Sequence, residues 1–268
     1  MRRLIGSADN PSERVGSNTR ATIHHFRRPA ASSLAKRPFS PTGISSGPNT
    51  MANGGIQQIL EEMGVTLRIE EAALSPNEAT EYGGWKRLGM ARGHFAEIVT
   101  KNERDGYFTV GLLATCPSMP GLVAGLQHSG PTRKPIIIGM LWLDAHPDFN
   151  TPETTRSGSL GGMPVALATG RALRRLRLDA HLDPPLKDRH IVMGGVRLTD
   201  PLEQELLDQS SIQQLSVDDL RNMTPAVFAQ LDRLSRLTDV GASKYRYGVD
   251  DESLSFKNDS AKMPGKMS

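Results

Sequence analysis

The chain has 268 residues, enough to bury roughly 70–75% of its unfolded surface in one large domain, and its single cysteine, Cys116, rules out an intrachain disulfide scaffold. No apolar run approaches the roughly 20 residues that a membrane span needs, so no membrane partner is expected. The net charge of +3 is unevenly placed: residues 1–40 hold seven Arg and one Lys against Asp9 and Glu13, so the rest of the chain is net acidic.

That basic, Ser-rich and acid-poor leader, taken as residues 1–46, is expected to lack order and has the composition of an organelle transit peptide, which gives a mitochondrial or a cytoplasmic location. An unstructured basic arm, or translated sequence ahead of a later start at Met51, accounts for it equally. Phe26 and Phe39 are its only aromatics, which supplies no stacking pattern for a nucleic-acid partner.

Past about residue 54 the hydrophobic period switches repeatedly between helical and strand spacing, the mark of an α/β fold with a mostly parallel sheet. Ile56, Ile59, Leu60 and Met63 form a helical stripe that Gly64 stops, and residues 65–69 alternate as a strand. Leu88, Ala91, Phe95 and Ile98 mark a second helix, and residues 107–113 a second strand. The most apolar window, IIIGMLWL at 136–143, reads as a strand buried on both faces at the sheet centre. A helix from about 163, a strand near 190, a short helix over PLEQELLDQ, a strand near 212 and a long helix through Leu220, Met223, Val227, Leu231 and Leu234 follow. Ser216 with Asp219 makes a helix-start capping pair. Residues 241–268 show no sustained period, so they read as a disordered tail, and the sheet of the 47–240 domain is expected to lack its last strands.

Ligands of open parallel sheets bind at the carboxyl ends of the strands. The residues after the central strand are Asp144, Ala145, His146, Pro147, Asp148, Phe149 and Asn150. On an extended backbone, Asp144, His146 and Asp148 point the same way, so two oxygen donors and an imidazole converge as a divalent-metal half-site; a capped loop with a satisfied histidine is the other reading. Asp179, His181 and Asp183 repeat the spacing, but they follow a basic helical run, and a helix end splays them by about 100° per residue. No metal is expected there.

The stretch WLDAHPDFNTPETTRSGSLGGMPVA, 142–166, resembles the signature of the ureohydrolase family of arginases, agmatinases and formiminoglutamases. The resemblance extends to Gly47-Pro48, to GLVAGLQ at 121–127 and to GVRLTDPLE at 195–203. It implies a three-layer αβα sandwich, a small guanidino or amidine substrate, a homo-oligomer and two Mn²⁺ ions that activate a shared water. By motif, Asp144 would touch both ions, with His146 on one and Asp148 on the other. Asn150 and Ser157 match positions that hold the substrate's polar tail, and Asp200 and Glu203 match those that hold its amino end. A helix N-terminal turn explains Asp200 and Glu203 as well.

The chain departs from the family pattern in three places. Cys116 stands at a further ligand position, where a thiolate suits Zn²⁺ or Fe²⁺ better than Mn²⁺, while a buried free thiol is the alternative. The Asp-x-Asp of a later strand reads as absent, because Asp250, Asp251 and Glu252 lack an apolar strand in front of them. The proton-shuttling histidine is Gly161, which leaves no residue assigned to proton transfer. The expectation is therefore a ureohydrolase-type hydrolase with an incomplete manganese site that holds at most one ion tightly, or a non-catalytic relative that retains the fold.

Overall fold

The computed structural model describes residues 55 and 57–237, together with the backbone of 20–26 and 247–249. Seven strands form two all-parallel groups: β1 (Arg20–Phe26), β2 (Thr66–Ala72) and β3 (Phe108–Leu112) in the order β2-β1-β3, and β4 (Met140–Leu143), β5 (Ile191–Gly194), β6 (Gln213–Leu215) and β7 (Tyr247–Val249) in the order β6-β5-β4-β7. The helices are α1 (Gln57–Glu62), α2 (Pro76–Ala79), α3 (Gly84–Arg104), α4 (Met119–Gln127), α5 (Pro164–Ala168), α6 (Arg174–Asp179), α7 (Pro201–Asp208), α8 (Val217–Asn222) and α9 (Pro225–Leu237).

The period of two in the strands accounts for the layering. Met140, Trp142, Ile191 and Met193 point into the main core with Phe95, Val99, Ala124 and Val165, whereas Leu141, Val192 and Leu215 face the other way and meet Val227 and Leu234 of α9. Both faces of β4 and β5 are therefore covered by helices, which is the expected αβα arrangement.

The sequence reading departs from the structure at both ends. Arg20–Phe26, inside the leader expected to be disordered, is a strand that pairs along its length with β2 and β3, Ile23 lying opposite Ile69 and Val110. RATIHHF has only Ala21, Ile23 and Phe26 as apolar residues, with the alternation broken at His24-His25, so it does not stand out, and pairing on both edges supplies what its sequence does not. The rest of the leader lies outside the described residues. In the tail, Tyr247–Val249 runs parallel to β4 with Val249 opposite Leu143, so an element does precede Asp250, Asp251 and Glu252, which themselves lie outside the described residues.

Two long helices are broken where the backbone turns left-handed. The run from 163 splits into α5 and α6 around Gly170 (φ 81°) and Leu173 (φ 53°), and the run from 217 splits at Met223 (φ 45°), two residues before Pro225 restarts it. The Ser216–Asp219 capping box forms as expected. Only Met140–Leu143 of the 136–143 window is strand; the Ile136 amide donates instead to the Gln127 carbonyl at 2.8 Å, closing the turn after α4.

On α3, Arg92 is fully buried, and none of its three guanidinium nitrogens finds a hydrogen bond among the described residues. Burial draws its pKa down to about 9, well below the usual guanidinium range. The unfolded chain holds that proton more tightly, so stability rises as the pH passes above about 9, and below that the whole penalty stands. Arg92→Met is accordingly expected to raise the unfolding free energy by about 1–4 kcal/mol at pH 7. The advantage should shrink above pH 9, as urea denaturation at neutral and alkaline pH would show. Destabilisation would mean that the guanidinium has a partner.

Candidate metal centre

The turns that follow β3 and β4, strands of the two different groups, come together and build the site. After β3, residues 113–115 lead into a tight 3-10 turn, Cys116–Ser118, in which the Ser118 amide donates to the Thr115 carbonyl at 2.9 Å before α4 begins. Every residue of α4 is buried, so the turn carrying Cys116 is fixed from behind.

After β4, the Asp144 amide still donates to the Gly194 carbonyl at 3.2 Å, which extends the parallel ladder by one residue. The chain then folds. The His146 amide donates to Asp144 Oδ1 at 2.8 Å, and Asp148 adopts φ 51°, a left-handed conformation that Asp tolerates better than most residues. The Asp148 carbonyl accepts from the Val165 and Ala166 amides at the start of α5. The Phe149 amide donates to Glu203 Oε1 at 2.8 Å, and the Ala145 carbonyl accepts from the Arg197 and Leu198 amides. The loop after β4 is thus held by the loop after β5 and by α7.

The outcome is a group of three potential ligands. One ligand atom from each of Cys116, Asp144 and Asp148 lies within 4.8 Å of the others, and the two aspartates are 2% and 5% exposed. Two ionised carboxylates at that separation repel by about 3.5 kcal/mol at an effective dielectric constant near 20, a cost that a cation between them removes. Convergence comes from a folded loop, not from the extended backbone that the spacing suggests. His146 lies beside the group, its Nδ1 3.7 Å from Asp144 Oδ1 and its side chain 38% exposed.

The other candidate residues are brought near in part. Buried Asn150 reaches Asp200 Oδ2 at 3.4 Å and accepts from the Thr154 hydroxyl at 2.9 Å. Ser157 is exposed, and its hydroxyl accepts from the Ser159 amide at 3.2 Å. Asp200 caps α7 in a capping box with Glu203, whose second oxygen accepts the Asp200 amide at 3.3 Å. Burial raises the pKa of Glu203, while the bonds from the Phe149 and Asp200 amides oppose that shift. Glu203 is therefore both a helix cap and the anchor of the loop after β4. The first of these roles is legible in the Asp-x-x-Glu spacing; the second joins residues 54 positions apart and has no local signal.

The repeat string is a helix end, as expected. Asp179 closes α6 and pairs with Lys86 at 3.1 Å, His181 is left-handed at φ 62°, and Asp183 pairs with Arg177 at 3.0 Å. Among the described residues these three form no metal-capable group.

Parallel strands covered by helices, with Cys116, Asp144 and Asp148 gathered in the turns that follow β3 and β4, define an α/β protein with its candidate site at the carboxyl ends of its strands. The family model described as "Arginase family" matches residues 118–241. The arginase of Neurospora crassa is 28% identical over 190 residues, covering 66% of this chain and 53% of its own length. The protein named "Arginase-2, mitochondrial" of Bos taurus is 28% identical over 217 residues, covering 75% of this chain and 60% of its own. Among solved structures, the arginase from Bacillus caldovelox superposes with a TM-score of 0.68 at 22% identity, over 86% of this chain and 75% of that one. The arginase from Bacillus subtilis superposes with a TM-score of 0.67 at 22% identity, over 86% and 73%. Over residues 118–241, and along the stretches shared with those relatives, the chain is similar to the arginase family, and its fold is that of the solved arginases. It spans between half and about three-fifths of the length of those two curated relatives.

Proposed function

We propose that the protein is a metal-dependent hydrolase of a guanidino or amidine C–N bond in a small substrate, slow as this chain stands. The observation that carries this reading is the convergence of Cys116, Asp144 and Asp148 at the ends of β3 and β4 on an arginase fold. A divalent cation at such a site supplies a Lewis acid that activates water near neutral pH. His146 is the nearest further ligand. Asn150 and Asp200, joined across the loop, would meet the polar part of the substrate with Ser157 at the exposed rim, and Glu203 acts by holding Asp200 and Phe149 in place.

The pair of manganese ions implied by the family is poorly matched by the donor set that the described residues bring together, two carboxylates and a thiol with the His146 imidazole beside them, because sulfur replaces a hard donor. Gly161 also offers no side chain for moving a proton to the leaving amine, a contribution worth about 10²–10⁴-fold. Against a typical turnover of about 10 s⁻¹, the expected rate is roughly 10⁻³ to 10⁻¹ s⁻¹. The assay is release of urea or formamide from arginine, agmatine, guanidinobutyrate and formiminoglutamate with added divalent metal. Slow, metal-dependent release that disappears in Asp148→Ala supports the proposal. No metal-dependent release from any of the four substrates would replace it with a fold-retaining, non-catalytic role. The basic, Ser-rich composition of the leader would direct the chain to mitochondria, with the cytoplasm as the alternative, and the protein would assemble as a homo-oligomer by likeness to the family.

A further inference from the structure

We propose that the ion held by Cys116, Asp144 and Asp148 is a thiolate-binding metal of the zinc, iron(II) or cobalt(II) kind, and that this centre discriminates against manganese. The proposal rests on the reading of the site as a metal centre and adds which metal it selects.

The sulfur is placed there by the fold. Cys116 sits on a turn that runs into the wholly buried α4 and packs against the main core, so its Cα has little freedom to withdraw the side chain. Its Sγ lies within 4.8 Å of oxygens from both aspartates. Around a tetrahedral ion with Zn–S near 2.3 Å and Zn–O near 2.0–2.2 Å, neighbouring ligand atoms stand roughly 3.3–3.6 Å apart. Side-chain adjustments of about an ångström close the set. On binding, the thiol proton passes to solvent and the thiolate becomes the third anionic donor.

Two effects then favour the softer ions. Manganese is lowest in the affinity order of the first-row divalent metals and prefers carboxylate, carbonyl and water oxygens, whereas thiolate selects zinc and iron. Burial of both aspartates also limits how many waters can complete the octahedral shell of a hard ion.

The test uses the full chain, purified and stripped of metal. Added Co²⁺ should give a thiolate-to-cobalt charge-transfer band in the near ultraviolet, and competition should show Zn²⁺ binding at least roughly 10²-fold more tightly than Mn²⁺. Cys116→Ser should abolish the band, and Cys116→Asp should bring the two affinities towards parity, with circular dichroism confirming that both variants fold. Co²⁺ that binds without the band, or a band that survives Cys116→Ser, would overturn the proposal while leaving a metal centre in place. Failure of every ion to bind would remove the metal-centre reading together with it. The spectrum of the unaltered chain decides the sulfur's part even if neither variant folds.

Discussion

Phe149→Ala is expected to cost about 3–5 kcal/mol of folding free energy and, with it, the order of the loop that carries Asp144 and Asp148. The ring is completely buried in the main core, with the Arg171 guanidinium 4.7 Å from its centroid. It lies between Asp148 and Asn150, and its amide is the one that Glu203 holds. Truncation leaves a cavity beneath a loop whose other anchors are hydrogen bonds, so part of the loss should appear as local loosening. Denaturant unfolding would measure the first effect and divalent-metal affinity the second. Phe149→Leu, which keeps most of the volume, should cost under about 1.5 kcal/mol and retain binding. A tolerated alanine would show that the loop stands without its core anchor.

The second large effect is expected at Gly125, where α4 presses against α3. A Cβ there would stand 2.4 Å from Val99 Cβ and 2.6 Å from the Ala96 carbonyl oxygen, with the Thr100 hydroxyl bonded to the Gly125 carbonyl at 3.0 Å. No rotamer relieves a clash between a Cβ and a backbone oxygen, so the helices must separate. Gly125→Ala should cost about 1–3 kcal/mol, less up to about 1 kcal/mol from better helix propensity, and Gly125→Leu about 3 kcal/mol or more. Adding Val99→Ala should recover part of the loss in the alanine variant, since the two sites share one contact. Additive losses in that double mutant would place the strain elsewhere.

These two sites also mark where the sequence was legible. The period of the chain reveals most of the elements between residues 57 and 237, including the strand that leads to Asp144, because burying one face imposes a repeat. It leaves α4 unmarked: with all nine residues buried there is no polar face to create a period, and GLVAGLQ stands out only by its resemblance to the family. It also mistakes breaks for continuity, since Leu173 and Met223 enter the left-handed region without the glycine that would announce it. At the site, Asp144 and Asp148 follow from motif and position. The partnership with Cys116 depends on which turns meet in space, and the tether from Glu203 depends on a contact across the loops. Tertiary structure alone makes both. The strands in the leader and tail were missed for a related reason, being short and defined mainly by the partners they join.

The place of β7 has a consequence for how the chain comes off the ribosome. Leu141 pairs with Tyr247, more than a hundred residues later, whereas β5 and β6 reach their partners sooner. At about 5–20 residues per second, β4 emerges roughly 5–20 s before its second neighbour exists. Until then it presents an unpaired, strongly apolar edge within two residues of the loop that carries Asp144 and Asp148, a template for association with other nascent chains. Production of soluble protein is therefore a race between completing one strand and meeting another molecule, and low expression, which thins the population of nascent chains, should favour the first.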